Sequence, residues 1–387
     1  MSTHLLLTGA TGLLGQYLLR DFLLQGRPMA VVVRPSGGQS SRERVEQLMT
    51  RWDNELGRKL PRPVCLEGDV ASPWLGLGWA DRDWVARNCG PVLHNAASLR
   101  LFGQDRDQDP WLSNLTGTTN VLELCREAGL GELHYMSTAY VCGRRSGSVL
   151  ESELDEGQDF HNDYERTKCE SEKRVRAADF LDSLTVYRPA IIVGDSQTGY
   201  TSTYHGLYLC LRWAWLNSEA LPREADGRYH APMRMHLRGD EACHVVPVDW
   251  VSSAAVHLMS RPECRGRTYH LTQQQPLTSL ELEEALREYL GYYGPTFAEP
   301  DANAVTRDER NEVEDSFHAM VAPYQHYWNL NLDFDMRNLQ EAAPHLPCPP
   351  IDRPMLHRLL DFAIRDEWGR LRKKRSPRQP TADVAKG

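Results

Sequence analysis

The sequence "LLLTGATGLLGQYLL", from Leu5 to Leu19, decides the fold class of this 387-residue chain. Apolar residues lead into a turn that holds Gly9, Gly12 and Gly15, and an apolar pattern with helical spacing follows. Glycine loses more conformational freedom on folding than other residues, so three of them indicate a place where the backbone must be bare. Three such glycines also occur in ordinary turns. Their position between a strand and a helix favours the loop that holds the pyrophosphate of a dinucleotide.

Apolar strands and amphipathic helices alternate along the first half of the chain. This order predicts βαβ units with right-handed crossovers, and hence an α/β fold with a doubly wound parallel sheet, the Rossmann fold. The predicted strands are 4–8, 29–34, 63–69, 90–98, 132–140 and 183–194, and the predicted helices are 12–25, 42–58, 111–128 and 164–178.

The alternation stops after Gly199, and the following segments are aromatic, interrupted by proline and mostly helical. Two exceptions are "VVPVDWVSSAAVHLM" (245–259), which reads as a strand and helix returning to the core, and the strand-like "RTYHLT" (267–272). The predicted units are an NADP-binding Rossmann domain at 1–200 with 240–272 returning to it, a smaller and mostly helical substrate-binding region at 201–239 and 273–370, and a basic, disordered tail at 371–387.

Composition excludes several classes of protein. The net charge of −9 argues against a nucleic-acid-binding protein. The nine cysteines are scattered without a C-x-x-C pair, so we expect free thiols in a reducing compartment, the cytoplasm. No H-E-x-x-H pair is present, and we therefore expect no metal site. The chain has neither a signal-peptide pattern nor a run of about 18 apolar residues, so we expect no membrane span.

The type of dinucleotide follows from the end of the second predicted strand. An acid there binds the ribose 2′-hydroxyl of NAD, whereas an arginine accommodates the 2′-phosphate of NADP. This strand ends in Arg34, no acid stands at its tip, and Arg42 and Arg44 follow. The pattern predicts NADP, with a solvated arginine as the alternative. Gly68–Val70, at the end of the third strand, is suited to contacting the adenine ring, or is a plain loop.

Tyr164 and Lys168 stand four residues apart on a predicted helix, so both side chains lie on one face. A nearby ammonium is expected to lower the pKa of the phenol and make it usable for proton transfer. Ser137 and Thr138 lie at the end of the fifth strand, where open α/β sheets bind ligands, and a hydroxyl there can hold a substrate carbonyl. A chance Tyr–Lys spacing and a structural threonine are the alternatives.

In these features the chain resembles the extended short-chain dehydrogenase/reductases. "STAYVCG" (137–143) together with "VVPVDW" (245–250) resembles the branch of thioester reductases and fatty acyl reductases. The resemblance covers Met1 to Tyr200 and the region around Asp249. The motifs that match in type and order are T-G-x-x-G-x-x-G (Thr8–Gly15), "HNAAS" (His94–Ser98), "SNLTGT" (Ser113–Thr118), Tyr164-x-x-x-Lys168 and "YRPAIIVG" (Tyr187–Gly194).

The resemblance implies a catalytic triad of Thr138, Tyr164 and Lys168. It also implies that Arg34 and Arg44 bind the phosphate of NADPH and that Asn114 is the family's structural asparagine. With the glycine turn and the adenine loop, the predicted cofactor site consists of Thr8, Gly9, Thr11, Gly12, Leu13, Leu14, Arg34, Arg44, Asp69, Val70, Ala96, Ala97, Asn114, Tyr164, Lys168, Pro189 and Ile191.

The predicted function is NADPH-dependent reduction of an acyl thioester, bound to coenzyme A or a carrier protein, to an aldehyde or alcohol. One alternative is an extended-family dehydrogenase, epimerase or dehydratase that acts on a ketone, a sterol-like alcohol or a nucleotide sugar. Another is a protein that binds NADPH as a sensor or scaffold, against which the intact Thr138, Tyr164 and Lys168 argue.

Two further features have two readings each. The apolar stretch 202–216 either walls a channel for an acyl chain or is a core helix. The basic tail is either solvated or docks an acidic carrier protein. His94, His205 and His270 are expected to be structural.

Overall fold

The computed structural model describes residues 3–103, 105–235, 237–297, 310–328 and 331–370, and the tail predicted at 371–387 lies outside them. The strands in chain order are β1 (His4–Thr8), β2 (Met29–Val33), β3 (Val64–Glu67), β4 (Cys89–His94), β5 (Glu132–Met136), β6 (Gly147–Val149), β7 (Ser183–Pro189), β8 (Ile191–Val193), β9 (Tyr229–Met235), β10 (Ala242–Cys243), β11 (Val245–Pro247), β12 (Thr268–Leu271), β13 (Leu277–Thr278), β14 (Tyr292–Phe297) and β15 (Leu332–Phe334).

The α-helices are α1 (Leu13–Leu24), α2 (Ser41–Leu56), α3 (Trp79–Asn88), α4 (Gly117–Ala128), α5 (Asp163–Arg176), α6 (Leu207–Ala220), α7 (Val248–Met259), α8 (Ser279–Leu290), α9 (Glu312–Val321), α10 (Arg337–Ala342) and α11 (Arg353–Arg365). Single 3-10 turns lie at Pro73–Gly76, Ala139–Cys142, Pro262–Cys264, Gln325–Trp328 and Glu367–Gly369, and a π-turn at Leu112–Thr116.

A seven-stranded parallel sheet with the strand order β12-β7-β5-β4-β1-β2-β3 confirms the predicted α/β fold. The order reverses direction between β1 and β4, which is the switch point where ligands bind in doubly wound sheets. Helices α1, α2 and α7 cover one face of the sheet, and α3 and α4 cover the other. Both faces are therefore buried, which explains why strands such as β2 are apolar at every position.

Two predicted elements differ in detail. The predicted sixth strand, 183–194, breaks at Ala190: β7 stays in the sheet, whereas β8 pairs with β11 in a separate ribbon. The predicted helix 111–128 begins with the π-turn before α4 starts. The "RTYHLT" segment forms β12, which adds the seventh strand beside β7. The ends of strands and helices depend on tertiary pairing, which the local pattern does not contain.

The segments after Gly199 form smaller layers beyond the open end of the sheet. Helix α7 packs against α1 in the sheet's own core, while α6, α8 and α11 form a second apolar cluster. The parallel pair β9 and β14 closes a third cluster with α6 and α9. This arrangement places the later segments over the carboxyl ends of the strands, where the site lies.

The chemistry of the described residues adds two observations. All nine cysteines are free thiols. Among the helices in the described ranges, none combines the length and apolarity needed to cross a bilayer.

Candidate active site

A cleft of about 510 Å³ opens at the carboxyl ends of the sheet strands. It runs from the glycine turn after β1, past the ends of β4 and β5, to aromatic residues of the C-terminal segments. All of the predicted site residues line this cleft except Thr8 and Asn114. Their position fits the prediction, while their contact with a cofactor stays a prediction.

Each of the three glycines has a separate structural reason. Gly9 has φ +73°, and a Cβ there would lie 2.7 Å from the backbone of Ala96. A Cβ on Gly15 would collide with the carbonyl oxygen of Gly9. At Gly12 a Cβ would meet only that same oxygen, at 3.4 Å, so its outer side is open. Gly9 and Gly15 thus allow tight packing, whereas Gly12 leaves room for a ligand beside the backbone.

The N-terminus of α1 faces this open space. Gly12 is the N-cap and supplies no side-chain acceptor, so the first N–H groups of the helix are not capped by it. Leu13 and Leu14, in the first turn, line the cleft. Uncapped N–H groups and the helix dipole attract an anion, and the bare backbone of Gly12 lets one approach. The geometry therefore fits the pyrophosphate of a dinucleotide.

Thr8 lies beneath the turn rather than in the cleft wall. Its hydroxyl pairs with Nδ1 of His94 at 2.8 Å and accepts hydrogen bonds from the backbone N–H groups of Asn95 and Ala96. Thr8 is fully buried and joins the loops after β1 and β4. His94, predicted to be structural, is also buried, and burial lowers its pKa to about 3.

Two arginines stand together where the adenosine end of a dinucleotide would lie. Arg44 donates to the carbonyl oxygen of Arg34 at 2.5 Å and to the hydroxyl of Thr11 at 3.1 Å. Arg34 donates to Asp69 at 3.3 Å, and its side chain is 61% exposed. Burial and the neighbouring Arg34 lower the pKa of Arg44. Two adjacent cations with spare donors form a site that suits a phosphate.

Asn114 lies in the π-turn before α4 and is not part of the cleft wall. Its amide oxygen accepts the backbone N–H of Ser98 at 2.7 Å, and its amide nitrogen donates to Thr167 at 3.0 Å. It is buried and therefore fastens the loop after β4 to the middle of α5. This agrees with the structural role that the resemblance implied, and not with direct contact to the cleft.

Tyr164 and Thr138 meet in the middle of the cleft. Tyr164 lies in the first turn of α5, and Thr138 follows β5. Burial raises the pKa of Tyr164 to about 12, and the hydrogen bond with Thr138 lowers it by less. The phenol is therefore protonated near neutral pH, which suits a proton donor.

Lys168 does not lower the pKa of Tyr164 as the sequence predicted. Its Nζ donates to the carbonyl oxygen of Met136 at 2.6 Å and lies 4.5 Å from the ring centre of Tyr135. Burial lowers the pKa of Lys168 itself to about 7, opposed by the carboxylate of Glu172. Burial of the phenol therefore raises the pKa of Tyr164, and Lys168 is not among the groups that shift it.

A buried ion pair stands behind these residues. Glu172, one turn after Lys168, accepts from Arg188 of β7 at 2.6 Å, and both side chains are fully buried. Glu172 also accepts from the hydroxyl of Ser137 at 2.6 Å. Burial raises the pKa of Glu172, but Arg188 is the main cause of the net lowering of this pKa. The pair fastens α5 to the strand ends and so fixes the spacing of the proposed triad.

The far end of the cleft is lined by residues outside the predicted catalytic and cofactor sites. They are Tyr140, after β5, His205, before α6, Tyr324, directly before the 3-10 turn Gln325–Trp328, and Tyr327, within that turn. Burial lowers the pKa of His205 to about 4, so its imidazole is neutral near pH 7. No sequence pattern links these four positions, because they meet only through tertiary packing.

A His–Glu–His cluster joins this wall to α5. The carboxylate of Glu165 lies 3.2 Å from Nδ1 of His161 and 3.6 Å from Nε2 of His326. Burial raises the pKa of Glu165, but the hydrogen bonds to these two histidines lower it more, to about 2. The three side chains are close enough to hold a metal ion. However, the two imidazoles are stacked 4.2 Å apart at 8°, so their in-plane lone pairs run parallel and do not converge on one ion. The cluster is a hydrogen-bonded contact between two segments.

Known proteins resemble this chain in sequence and in fold. It is 26% identical over 304 residues to nonribosomal peptide synthetase asaC of Aspergillus flavus, which covers 74% of this chain and 28% of that protein. It therefore spans less than a third of that relative's length. It is 25% identical over 297 residues to the 2-alkyl-3-oxoalkanoate reductase of Stenotrophomonas maltophilia, covering 74% of this chain and 76% of that enzyme.

Among solved structures, the terminal R domain of the myxalamid PKS-NRPS pathway has the same fold. The TM-score is 0.74 at 24% identity, covering 98% of this chain and 93% of that one. The family described as Male sterility protein matches residues 7–255, which is well over half of the chain. The chain therefore belongs to this NAD-binding family.

Proposed function

We propose that the protein is an NADPH-dependent reductase that converts an acyl thioester to an aldehyde or an alcohol. The observation that carries the proposal is the meeting of Thr138 and Tyr164 in a cleft that also holds the glycine turn. A protonated phenol beside an uncapped helix N-terminus suits the reduction of a carbonyl. The Stenotrophomonas relative, which is named a reductase, favours the same chemistry.

The preference for NADPH rests on Arg34 and Arg44. Their guanidinium groups border the cleft beside the end of β2, and no acid stands at the tip of this strand to bind a ribose 2′-hydroxyl. Thr11 and Asp69 hold the two arginines in place. The backbone of Gly12 and the first turn of α1 would receive the pyrophosphate.

The chain's own groups would manage the developing charge. NADPH, when bound, supplies a hydride to the substrate carbonyl. Tyr164 donates its proton to the resulting oxyanion, and Thr138 donates a second hydrogen bond to it. Lys168 is close to its midpoint of protonation near pH 7, and it binds the nicotinamide ribose. The tetrahedral thiohemiacetal then loses a thiol and leaves the aldehyde.

The substrate would be presented as a thioester on coenzyme A or on a carrier protein. The relative asaC is named a nonribosomal peptide synthetase, and the myxalamid R domain is the terminal domain of a PKS-NRPS pathway. Segments 201–239 and 273–370 would form the substrate-binding region, and the free thiols favour a cytoplasmic location. The basic tail at 371–387 is a further candidate for docking an acidic carrier.

A panel of acyl thioesters tests the proposal. The purified protein and NADPH are incubated with acyl-pantetheine, acyl-CoA and acyl-carrier thioesters, while NADPH loss and thiol release are followed together. We expect both signals in equal amounts when the aldehyde is the product. NADPH loss with ketones or sugar nucleotides, without thiol release from any thioester, would overturn the proposal.

The second candidate is an extended-family reductase of a ketone. The Stenotrophomonas enzyme favours it, because the match covers 76% of that protein and its name describes reduction of a 3-oxo acid. The Thr138–Tyr164 pair serves a ketone as well as a thioester, since both present one carbonyl. Thiol release separates the two functions.

A further inference from the structure

A second cavity lies behind the aromatic end of the main cleft. It has a volume of about 90 Å³ and lies between α6, α8, α9 and the β9–β14 pair. Two charged residues that line it form ion pairs with other side chains: Arg234 binds Glu314 at 2.7 Å, and Glu283 lies 3.8 Å from Arg287. The apolar side chains that line it include Trp213, Met233, Met235, Leu282, Phe317 and Trp328.

One 3-10 turn and the residue before it separate the two cavities. In a 3-10 helix, residues three apart lie on the same face. Tyr324 and Tyr327 line the main cleft, whereas Gln325 and Trp328 line the apolar cavity. His326, on a third face, lies 3.6 Å from Glu165 of α5. We call 324–328 the divider, because its faces form a wall of each cavity and a contact with the helix that carries Tyr164.

We propose that the apolar cavity receives the far end of the substrate's acyl chain, and that the divider moves off α5 to admit it. The inference rests on the proposed function, because it places the reacting carbonyl at Tyr164. A chain anchored there lies on the Tyr324 and Tyr327 side of the divider, so its far end enters by displacing this turn. The occupant is an unbranched aliphatic tail.

The size and lining of the cavity support this occupant. A cavity of about 90 Å³ is roughly six to nine times what one water needs, and a methylene is similar in size to a water. Met233 and Met235 are flexible apolar side chains that adapt to chains of different length. Trp213 and Phe317 add flat aromatic surface, with ring centres 4.9 Å apart. This lining offers an aliphatic tail contact along several methylenes.

Binding of two thioethers tests the cavity without any reduction. S-Decyl pantetheine and S-butyl pantetheine have no carbonyl, and their affinity for the protein with NADP⁺ is measured by calorimetry. Each buried methylene raises the binding affinity by a factor of about four, and the entropy lost when the chain is ordered reduces this gain. We therefore expect the decyl compound to bind at least about a hundredfold more tightly. A difference below about threefold would overturn the proposal.

Filled-cavity variants locate the effect. Ala214→Phe, on α6, adds a ring where Ala214 lines the cavity, and Leu282→Trp does so from α8. Ala220→Phe, on the exposed end of α6, is the matched control. We expect either filled variant to lose most of the preference for decyl and to bind the butyl compound as before, with an unchanged control. A folded variant, judged by its melting temperature, that keeps the full preference would place the chain elsewhere.

Turnover separates this inference from the proposed function. Suppose that no thioester is reduced, yet the decyl thioether binds more tightly than the butyl thioether and Ala214→Phe removes the difference. The cavity would then be confirmed as the site of the aliphatic chain, and the proposed thioester reduction would be wrong. If butyryl and decanoyl thioesters are reduced with equal KM, and the two thioethers bind equally, the function stands and the cavity assignment fails.

Discussion

The two ends of the main cleft are built from different kinds of residue. The cofactor end consists of backbone and short side chains from the turns after β1, β3 and β4, with Arg34 and Arg44 at its edge. The other end is aromatic, and its residues Tyr140, Tyr324 and Tyr327 come from distant segments. Bare backbone and fixed charge suit a ligand whose polar part is constant. An aromatic wall suits a ligand whose apolar part varies.

The two ends are also held differently. The cofactor end is fastened by buried hydrogen bonds, such as that of Thr8 with His94, and by the close approach of Gly9 to Ala96. The divider is held to the start of α5 by a buried hydrogen bond from Asn162 to the hydroxyl of Tyr327 at 3.0 Å, by the longer contact of His326 with Glu165, and by the stacking of His326 on His161. Changes at the first end should therefore affect every substrate, whereas changes at the second should affect the choice among substrates.

Tyr164 lies where the two ends meet, and its removal should have the largest effect. Tyr164→Phe is expected to lower kcat by about 10² to 10³, because one donor to the oxyanion is lost. NADPH binding should stay the same, since the ring remains. Steady-state rates and NADPH fluorescence titration measure the two effects. Tyr324→Phe, which also removes a hydroxyl from the cleft wall, is the control and should change kcat little. A Tyr164→Phe protein with more than half of the original rate would remove Tyr164 from the chemistry.

Arg34→Ala tests the charged edge of the cofactor end. The KM for NADPH should rise about tenfold, because a charge-assisted hydrogen bond to phosphate is lost at a mostly exposed site. The KM for NADH should change little, since NADH lacks that phosphate. Arg42→Ala, an exposed neighbour on α2, is the matched control. Equal losses with both cofactors would show that Arg34 has a structural role.

The pH dependence of NADPH binding tests Lys168. Below pH 7 this lysine is charged before binding, whereas above its pKa of about 7 binding must first take up a proton. The dissociation constant should therefore rise with pH above 7, by at most about tenfold per pH unit. Titrations begin above pH 6.5, because a phosphate monoester titrates near pH 6. Lys168→Met should bind weakly with a flat profile. A flat profile in the unaltered protein would contradict the role.

The sequence contains most of the cofactor end, because that end is local. A strand, a glycine turn and a helix follow one another within the first 24 residues, and Arg34 ends the next strand. The Tyr164 and Lys168 pair was found for the same reason, since its spacing is one helical turn. The rule that a nearby ammonium lowers a phenol pKa was wrong here, because it ignores burial.

The substrate end could not be predicted for two physical reasons. Tyr324 and Tyr327 share a face only because residues 325–328 form a 3-10 turn, and no local pattern indicates that turn. His205 was expected to be structural, since a histidine without a visible partner usually is, yet it lines the cleft. Contacts between segments more than a hundred residues apart set these positions.

The smallest expected effect tests whether the divider opens. His326→Phe keeps an aromatic ring stacked on His161 and removes the nitrogen that faces Glu165. Losing one hydrogen bond changes a free energy by about 1 kcal/mol, so opening should become easier by about threefold to fivefold. The KM for decanoyl thioester should fall by that factor, while the KM values for butyryl thioester and NADPH stay the same. His345→Phe, which alters an exposed histidine stacked edge-on against His257, is the control. If His326→Phe changed the KM of both chain lengths equally, the cluster would only stabilise the fold, and the two ends of the cleft would not differ in how they select a ligand.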